Sequence, residues 1–343
     1  MVNLVLVDAI RRRATEIHVE SYPKKLMIRY RVNGVLIDIM HPPLRLASAI
    51  INRILIITNM DIAKKKSVQK GQLDLVLGKK KTARFGVCYV PIGSEAKLSL
   101  ELVDDAYSFD PLHVINSKEW VELRDKLYEP GIFAICSPTK RVREDFLRSI
   151  IDHVDTDKVS VVVFGDLLLP VATKNVHKVN STNSDELITE QVQAILQHQS
   201  PDVVIFSDVD RSVLSAFNRS IFVGKLVLFS LAVENQSKAV QYLSGVNAEV
   251  VYISVVKMLC ESCKKLATEN DQVILQKKLK EKNIVLLSGE EPQLYQADQC
   301  PHCHRCGYSG QKLLIGFVET QLVEQVLPLC AEGKVDLLEF QKI

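Results

Sequence analysis

Hydrophobic and polar positions change their spacing along the chain and divide it into two parts. In residues 1–104, short alternating segments surround one stretch with helical spacing, "LRLASAIINRILIITNM". Alternation with a period of two predicts half-buried strands. Two hairpins are predicted, one turning at Asn33-Gly34 and one at "GKKK" between "QLDLVL" and "TARFGVCYV", because these residues suit tight turns. This part is predicted to be a small α+β domain.

A different pattern begins after a stretch rich in turn-forming residues, and the linker is predicted there, at residues 105–117. Four apolar, β-branched runs then alternate with helical stretches: "GIFAICS", "VSVVVFG", "DVVIFSD" and "KLVLFSL". Continuous apolar runs are typical of strands that are buried on both faces of a parallel or mixed sheet. Residues 118–343 are therefore predicted to form an α/β domain.

Two Cys-x-x-Cys pairs lie within the second domain, and they supply four candidate metal ligands: Cys260, Cys263, Cys300 and Cys303. Four thiolates complete a tetrahedral structural zinc site and leave no open position for a catalytic water. The intervening segment "QVILQKKLKEKN" looks too charged to bury much core, so zinc is expected to stabilise residues 257–312 as an inserted zinc-binding subdomain. The alternative is a metal-free pair of turns. Three neighbours could also join the shell, although four thiolates already complete it: Cys306, His302 and His304.

Composition and charge exclude several classes of protein. The formal net charge of +2 provides no overall attraction for nucleic acid or anionic lipid. Aromatic residues make up 6% of the chain and are not interleaved with basic residues, as they would be on a surface that stacks bases. No apolar segment reaches the roughly 20 residues of a membrane-spanning helix, and no signal-peptide layout is present. A cytoplasmic protein with no nucleic-acid partner and no transmembrane segment is predicted.

Several stretches, in the same order, resemble the secretion ATPase superfamily that powers type II secretion and type IV pilus assembly. Three stretches are similar to its N-terminal domain: "RATEIHVESYPKKLMIRYRVNGVL" (13–36), "NMDIAKKKSVQKGQ" (59–72) and "ARFGVCYVPIGSEAKLSLELVD" (83–104). Three more resemble its Walker B stretch, histidine box and tetracysteine motif: "SPDVVIFSDVDR" (200–211), "GKLVLFSLAVENQ" (224–236) and "CESC…CPHCHRCGYSGQ" (260–311). The resemblance implies a RecA-like, P-loop-type α/β domain after the N-terminal domain.

The phosphate loop is where the chain departs from this family. Such a loop, G-x-x-x-x-G-K-[ST], uses glycines so that amides face the phosphates, a lysine for the β- and γ-phosphates, and a hydroxyl for Mg²⁺. The matching positions are Ser137, Pro138, Thr139, Lys140, Arg141, Val142, Arg143 and Glu144. Both glycines are absent, an arginine replaces the lysine and a carboxylate replaces the hydroxyl, which argues against the usual MgATP geometry. A basic turn that still attracts an anion at a helix N-terminus is the alternative.

The other nucleotide motifs are altered as well. Asp208 stands where the family has its Walker B glutamate, and Lys225 and Ala232 replace the two imidazoles of the histidine box. In the acidic box, Asp166 is the only acid and is out of register. Because catalysis depends steeply on positioning, these changes together predict that intrinsic ATP hydrolysis is lost.

Arginines of the N-terminal domain enter the functional hypotheses. Arg84 is retained, whereas Glu101 stands where the resemblance implies a second arginine that crosses the subunit interface. The leading hypothesis is a pseudo-ATPase, a cytoplasmic or peripheral inner-membrane subunit that acts by assembly or regulation of a homo- or hetero-hexamer. In a ring with a catalytic paralogue, Arg29, Arg31 and Arg84 would reach the neighbour's site, and inner-membrane platform components would be further partners.

The second hypothesis is a divergent ATPase that powers (pseudo)pilus assembly. Arg143 would then act as the phosphate cation and Asp208 as the metal support. Structural zinc is expected as a cofactor under both hypotheses, and MgATP under the second only.

Overall fold

The computed structural model describes most of the chain. The described residues are 1–78, 81–103, 118–170, 173–179, 185–208, 222–243, 248–281, 293–316 and 322–336. The predicted linker, 105–117, lies outside them. Below, residues 1–103 are called the N-terminal unit and residues 118–336 the C-terminal unit. Within the described residues, no helix is both long enough and apolar enough to cross a membrane.

The N-terminal unit is built on a six-stranded antiparallel sheet with the order β3-β2-β1-β6-β5-β4. Its strands are β1 (Ala14–Tyr22), β2 (Lys25–Val32), β3 (Val35–Met40), β4 (Gln69–Leu77), β5 (Lys81–Ile92) and β6 (Glu95–Val103). Helices α1 (Val2–Arg11) and α2 (Ala47–Ile57) pack with its apolar face. Because strand side chains alternate between faces, Glu16, His18 and Glu20 of β1 lie on the opposite, polar face.

Both predicted hairpins are confirmed. Strands β2 and β3 pair antiparallel around Asn33 and Gly34, whose φ angles are +49° and +78°. Positive φ at both central residues is the requirement of a type I′ turn, which Asn-Gly satisfies at low cost. Strands β4 and β5 form the second hairpin, and they pair from Gln69 with Tyr89 to Leu77 with Lys81.

The C-terminal unit contains a seven-stranded sheet with the order β15-β12-β7-β11-β10-β8-β9. Its strands are β7 (Gly131–Ser137), β8 (Val161–Phe164), β9 (Val176–Val179), β10 (Val203–Phe206), β11 (Leu226–Ala232), β12 (Glu249–Leu259) and β15 (Tyr308–Gly316). Every pairing is parallel except that of β12 with β15. The four apolar runs are β7, β8, β10 and β11, so the predicted α/β class is confirmed.

Helices cover both faces of this sheet, which explains why its central strands are apolar throughout. The helices are α3 (Lys118–Lys126), α4 (Lys140–His153), α5 (Asp185–His198), α6 (Gln236–Tyr242), α7 (Glu269–Glu281) and α8 (Leu322–Ala331). Alternate strand residues face α3 and α4 on one side, and α5 to α8 on the other.

The tetracysteine segment leaves the sheet after β12 and returns at β15, and it includes the short pair β13 (Lys265–Leu266) and β14 (Tyr295–Gln296). The expectation that this segment buries little core is wrong. Leu275 and Leu279, one helical turn apart on α7, are buried in the C-terminal core. Cys260 and Cys303 are buried in the core of the N-terminal unit. The charges lie on the other positions of α7, so its composition concealed an apolar face.

Candidate functional site

The predicted phosphate loop is a very short connection in the structure. Strand β7 ends at Ser137 and helix α4 begins at Lys140, so only Pro138 and Thr139 lie between them. Thr139 is the N-cap residue, and its side chain makes no capping hydrogen bond. The amide of Arg143 already donates to the carbonyl of Thr139 at 3.3 Å, as a helical amide does. The second half of the predicted loop is therefore the first turn of a helix rather than a nest of amides.

Side chains fill the space where glycines would leave room. Val142, at the second glycine position, is 7% exposed and packs in the core between α4 and the sheet. The helical backbone tolerates a β-branched residue at this buried position, whereas a positive φ would strain it. At this position, apolar packing by Val142 thus replaces the exposed glycine backbone of the family pattern.

Arg143, at the lysine position, is buried against the strand ends. Its Nη1 donates to the carbonyl of Ser137 at 2.5 Å, and its Nη2 donates to Oδ1 of Asp208 at 2.5 Å. The side chain is 3% exposed, and its Nε atom has no hydrogen-bond partner among the described residues. The backbone amide of Asp208 donates to Oγ of Ser230 at 2.8 Å, which helps to position this residue. The guanidinium therefore links the Walker A and Walker B positions directly.

Glu144, at the hydroxyl position, faces cations of its own helix. Its carboxylate lies 3.2 Å from Nη2 of Arg148 and 3.5 Å from Nζ of Lys140. Burial, together with repulsion by the Glu101 carboxylate, raises the pKa of Glu144. Arg148 also pairs with Asp145 one turn away. Sequence reasoning missed Arg148 and Asp145, although charged residues amid "DFLRSII" were a signal that this buried helix face needed partners.

The remaining motif positions make structural contacts. Asp166, from the acidic box, lies 3.0 Å from Nζ of Lys70 in the N-terminal unit, and this hydrogen bond raises the pKa of Lys70. Lys225 donates to the carbonyl of Pro201 at 3.0 Å. Ala232 is exposed at the end of β11. Of the contacts described in this paragraph, the ion pair of Asp166 joins the C-terminal unit to the N-terminal unit.

The three candidate trans arginines have acidic partners within the chain, and all of the pairs lie on the N-terminal sheet. Arg29 pairs with Glu20 at 2.5 Å, Arg31 with Glu16 at 2.9 Å, and Arg84 makes two bonds to Asp74 at 2.8 and 2.9 Å. Each arginine would have to leave its acidic partner before its side chain could reach a neighbouring subunit.

Glu16 was also missed by sequence reasoning. Its carboxylate lies 2.8 Å from Nε2 of His18 and 2.9 Å from Nε of Arg31. Burial alone would raise the pKa of Glu16, but the bonds from His18 and Arg31 lower it to about 2. Glu16 lies within the first of the family-like stretches; its partner His18 is two residues along the same strand, and the pairing of β1 with β2 brings Arg31 beside it.

The four predicted cysteine ligands converge, and their Sγ atoms all lie within 4.8 Å of one another. Separations are 4.0 Å for Cys260 and Cys300, 3.8 Å for Cys263 and Cys303, and 3.7 Å for Cys300 and Cys303. A tetrahedral ion with bonds of about 2.3 Å requires separations of roughly 3.8 Å. The donor set and its spacing therefore fit zinc.

Backbone groups support this centre. Burial alone would raise the pKa of the Cys303 thiol, but backbone hydrogen bonds, one of them from the Gly307 amide at 3.2 Å, lower it to about 6. The Cys306 thiol instead donates to the carbonyls of Cys303 and Tyr308, at 2.8 and 3.1 Å. His302 and His304 are exposed and stand outside the cluster.

The metal centre also contacts the N-terminal unit. Asn33, in the β2–β3 turn, donates from Nδ2 to the carbonyl of Tyr308 at 2.7 Å. Beside it, a Cβ atom on Gly34 would lie 2.5 Å from Nε2 of Gln311, and the φ of +78° at this position favours glycine. The hairpin turn therefore serves as a docking contact as well as a chain reversal.

A strand–turn–helix unit on an inner strand of a mainly parallel sheet, an acid at the end of β10 and a four-cysteine centre define a P-loop-type α/β protein with an additional α+β unit. Residues 1–339 match the family described as "Type II/IV secretion system protein", and the chain belongs to this family. The predicted family is therefore confirmed.

Individual relatives agree with this assignment. The chain is 25% identical over 339 residues to the type IV pilus assembly ATPase PilB of Myxococcus xanthus, covering 91% of this chain and 56% of that protein. It is 26% identical over 344 residues to the type II secretion system ATPase E of Vibrio cholerae, covering 95% of this chain and 65% of that one. The chain thus spans between about half and two thirds of the length of these relatives.

Solved structures share the fold. The Legionella pneumophila ATPase DotB aligns with a TM-score of 0.61 at 12% identity, over 99% of this chain and 94% of DotB. The pilus retraction motor PilT with bound ADP aligns with a TM-score of 0.55 at 11% identity, over 100% and 96%. At this identity the likeness establishes the fold alone.

Proposed function

We propose that this chain is a catalytically inactive member of the secretion ATPase family, which acts by assembly in a type II secretion or type IV pilus machine. The observation that carries the proposal is the ion pair between the buried Arg143 and Asp208, whose side chain is 41% exposed. It joins the two positions at which an active site would hold the phosphate cation and the metal-supporting acid. The guanidinium would have to leave Asp208 before it could bind a phosphate.

Electrostatics beside the helix N-terminus support the same conclusion. Glu144 and Asp145 have side chains that are 5% exposed, and they lie next to the short connection at Pro138 and Thr139. Both carboxylates are already paired with cations of the same helix, so these cations have their counter-charges within the chain. A triphosphate placed here would have to displace carboxylates at the position where the family pattern has a hydroxyl.

The tetracysteine centre would have a structural role in this function. Cys260, Cys263, Cys300 and Cys303 would hold zinc, which supplies cross-linking and folding energy. All four ligands come from the protein, so no position is left for a reacting water. Through Asn33, the centre also contacts the N-terminal unit.

The partners that suit this role are homologous subunits of a ring, including a catalytic paralogue, together with inner-membrane platform components at the cytoplasmic side. Relatives named as pilus assembly and type II secretion ATPases support this part of the proposal. In a mixed ring, Arg29, Arg31 and Arg84 are the residues that could serve a neighbour's site, once each leaves its acidic partner.

The second candidate, a divergent ATPase, is favoured by one observation. Lys140 is 54% exposed at the N-terminus of α4 and pairs with Glu144 only at 3.5 Å, and Nε of Arg143 lacks a partner among the described residues, so both side chains retain donors for an anion. In that case Arg143 would rotate from Asp208 to a phosphate, and Asp208 would support Mg²⁺.

Calorimetric titration with MgATP and measurement of phosphate release separate the two candidates. The proposal predicts no saturable binding at millimolar nucleotide and no turnover, with the Vibrio cholerae type II secretion ATPase as the positive control. Turnover that disappears in Asp208→Asn would overturn it, whereas turnover that survives this change would come from a contaminating enzyme. The single tryptophan, Trp120, packs edge-on against Phe146 of α4 and gives an internal fluorescence signal for nucleotide contact with that helix.

A further inference from the structure

Glu101 connects the two units of the chain. It lies on β6, on the polar face of the N-terminal sheet, opposite Gly86 on one side and Glu16 on the other. Its Oε1 accepts a hydrogen bond from Nη1 of Arg141 at 2.9 Å and lies 3.7 Å from Nη2 of Arg148. Both arginines belong to α4, so the carboxylate spans the gap between the units.

The group that Glu101 joins is compact and nearly balanced in charge. On α4, Arg141 bonds to Asp145 at 2.7 Å, and Arg148 contacts both Asp145 and Glu144. The side chain of Arg148 is 2% exposed. With Lys140 beside Glu144, three cations face three carboxylates, one of which is Glu101. Glu101 and Lys140 are partly exposed, but Arg148 is buried, so loss of a carboxylate would leave part of its charge uncompensated.

A second set of contacts ties the same helix to the N-terminal unit. The carbonyl of Leu168 accepts from Nε of Arg148 at 2.7 Å, and the carbonyl of Leu169 accepts from Nη1 of Arg84 at 3.0 Å. A Cβ atom on Gly86 would lie 2.8 Å from Cδ2 of Leu168, so β5 packs closely here. The acidic-box segment is thus held between β5 and α4.

We infer that the Glu101 carboxylate is a built-in anion that holds the N-terminal unit closed on helix α4 without nucleotide. The inference rests on the proposed function, in which no phosphate occupies the N-terminus of α4. The carboxylate then supplies from within the chain the negative charge that a bound ligand would otherwise bring to these arginines. The protein would enter a ring as a subunit with one fixed arrangement of its two units.

Hydrogen exchange measured by mass spectrometry, with small-angle X-ray scattering, tests this on the full-length, metal-loaded chain. In Glu101→Arg, we expect amides in residues 99–103 and 140–148 to exchange about tenfold faster, since the partly exposed pairs are lost. The radius of gyration should also rise. Glu95→Arg is the matched control, because it makes the same charge change on β6, where Glu95 accepts only from nearby serines. It should leave both measurements unchanged.

Two further variants keep the test informative if Glu101→Arg folds poorly. Glu101→Gln should give an intermediate increase in exchange, and Glu101→Asp, which keeps the negative charge, should give a smaller one. The inference is overturned if Glu101→Gln and Glu101→Arg both leave exchange and radius unchanged. It is also overturned if MgATP alters the exchange of these segments in the wild-type chain as much as Glu101→Arg does.

The test separates this inference from the proposed function. A wild-type chain that hydrolyses ATP, but opens when Glu101 is replaced, would remove the proposed function and keep the ion-pair contact. If the wild-type chain does not respond to nucleotide and the Glu101 variants stay closed, the proposed function is kept and this inference is removed.

Discussion

Replacing Cys303 by serine tests the metal centre most directly. The side chain is buried, its Sγ lies 3.8 Å from that of Cys263, and it receives the Gly307 amide. Serine is a poor zinc ligand, so three thiolates would be left for the ion. We expect the metal content to fall from one zinc per chain to well below one, as measured by elemental analysis after dialysis.

The stability change can be estimated from the structure. Structural zinc contributes roughly 10 kcal/mol in isolated zinc-finger peptides. Here Cys260 and Cys303 also lie in an apolar core, which retains part of the segment's packing without metal. We therefore expect a loss of about 3–5 kcal/mol. At about 2–4 °C per kcal/mol, the Tm of the affected transition should fall by about 10 °C.

The assay is thermal unfolding with and without a chelator, because the two perturbations share one cause. Chelator should lower the Tm of the wild-type chain by a similar amount and should have little further effect on Cys303→Ser. Cys88→Ser is the control, since Cys88 is partly exposed on β5 and is not in the cluster. Full zinc occupancy with unchanged Tm in Cys303→Ser would refute the assignment of this ligand.

Three further predictions concern single contacts. Asn33→Ala should lower the free energy of unfolding by about 1–2 kcal/mol, because a hydrogen bond between the units is lost; denaturant titration should show a smaller loss in Asn59→Ala, which shares the positive φ. The free energy of unfolding should fall as the pH drops from about 4.5 to about 2, because the stabilisation from the lowered pKa of Glu16 is complete above that window and is lost within it. In Glu16→Gln, the fall across the same pH window should be smaller by roughly 2 kcal/mol. Asp208→Asn should destabilise the chain by about 1–2 kcal/mol in the same titration, because Arg143 stays buried while its partly exposed partner loses its charge; an unchanged midpoint would contradict the ion pair.

Local patterns were sufficient for much of the fold and for the metal ligands. Asn33-Gly34 predicted its hairpin because the turn type depends on two residues, and the Cys-x-x-Cys spacing predicted its cluster because each pair forms one turn. The contacts of Glu101 could not be predicted in this way. Its partner Arg141 lies 40 positions away and on another sheet's helix, so only the packing of the two units brings them together.

The altered positions compensate one another inside the chain. Arg143, in place of a lysine, pairs with Asp208, in place of a glutamate. Glu101, in place of an arginine, pairs with Arg141 and Arg148. Unrelated losses would leave unpaired buried charges, each of which costs several kcal/mol.

Under the proposed function, replacing one of these residues with the family's residue should not produce ATPase activity. Restoring arginine at position 101 would bring a third guanidinium against Arg141 and Arg148 and remove one of their counter-charges. Restoring lysine at position 143 would leave the connection of two residues, Pro138 and Thr139, without the glycine-rich loop that phosphate binding requires. If the proposed function holds, gain of nucleotide binding would require the loop, the cation and Glu101 to change together.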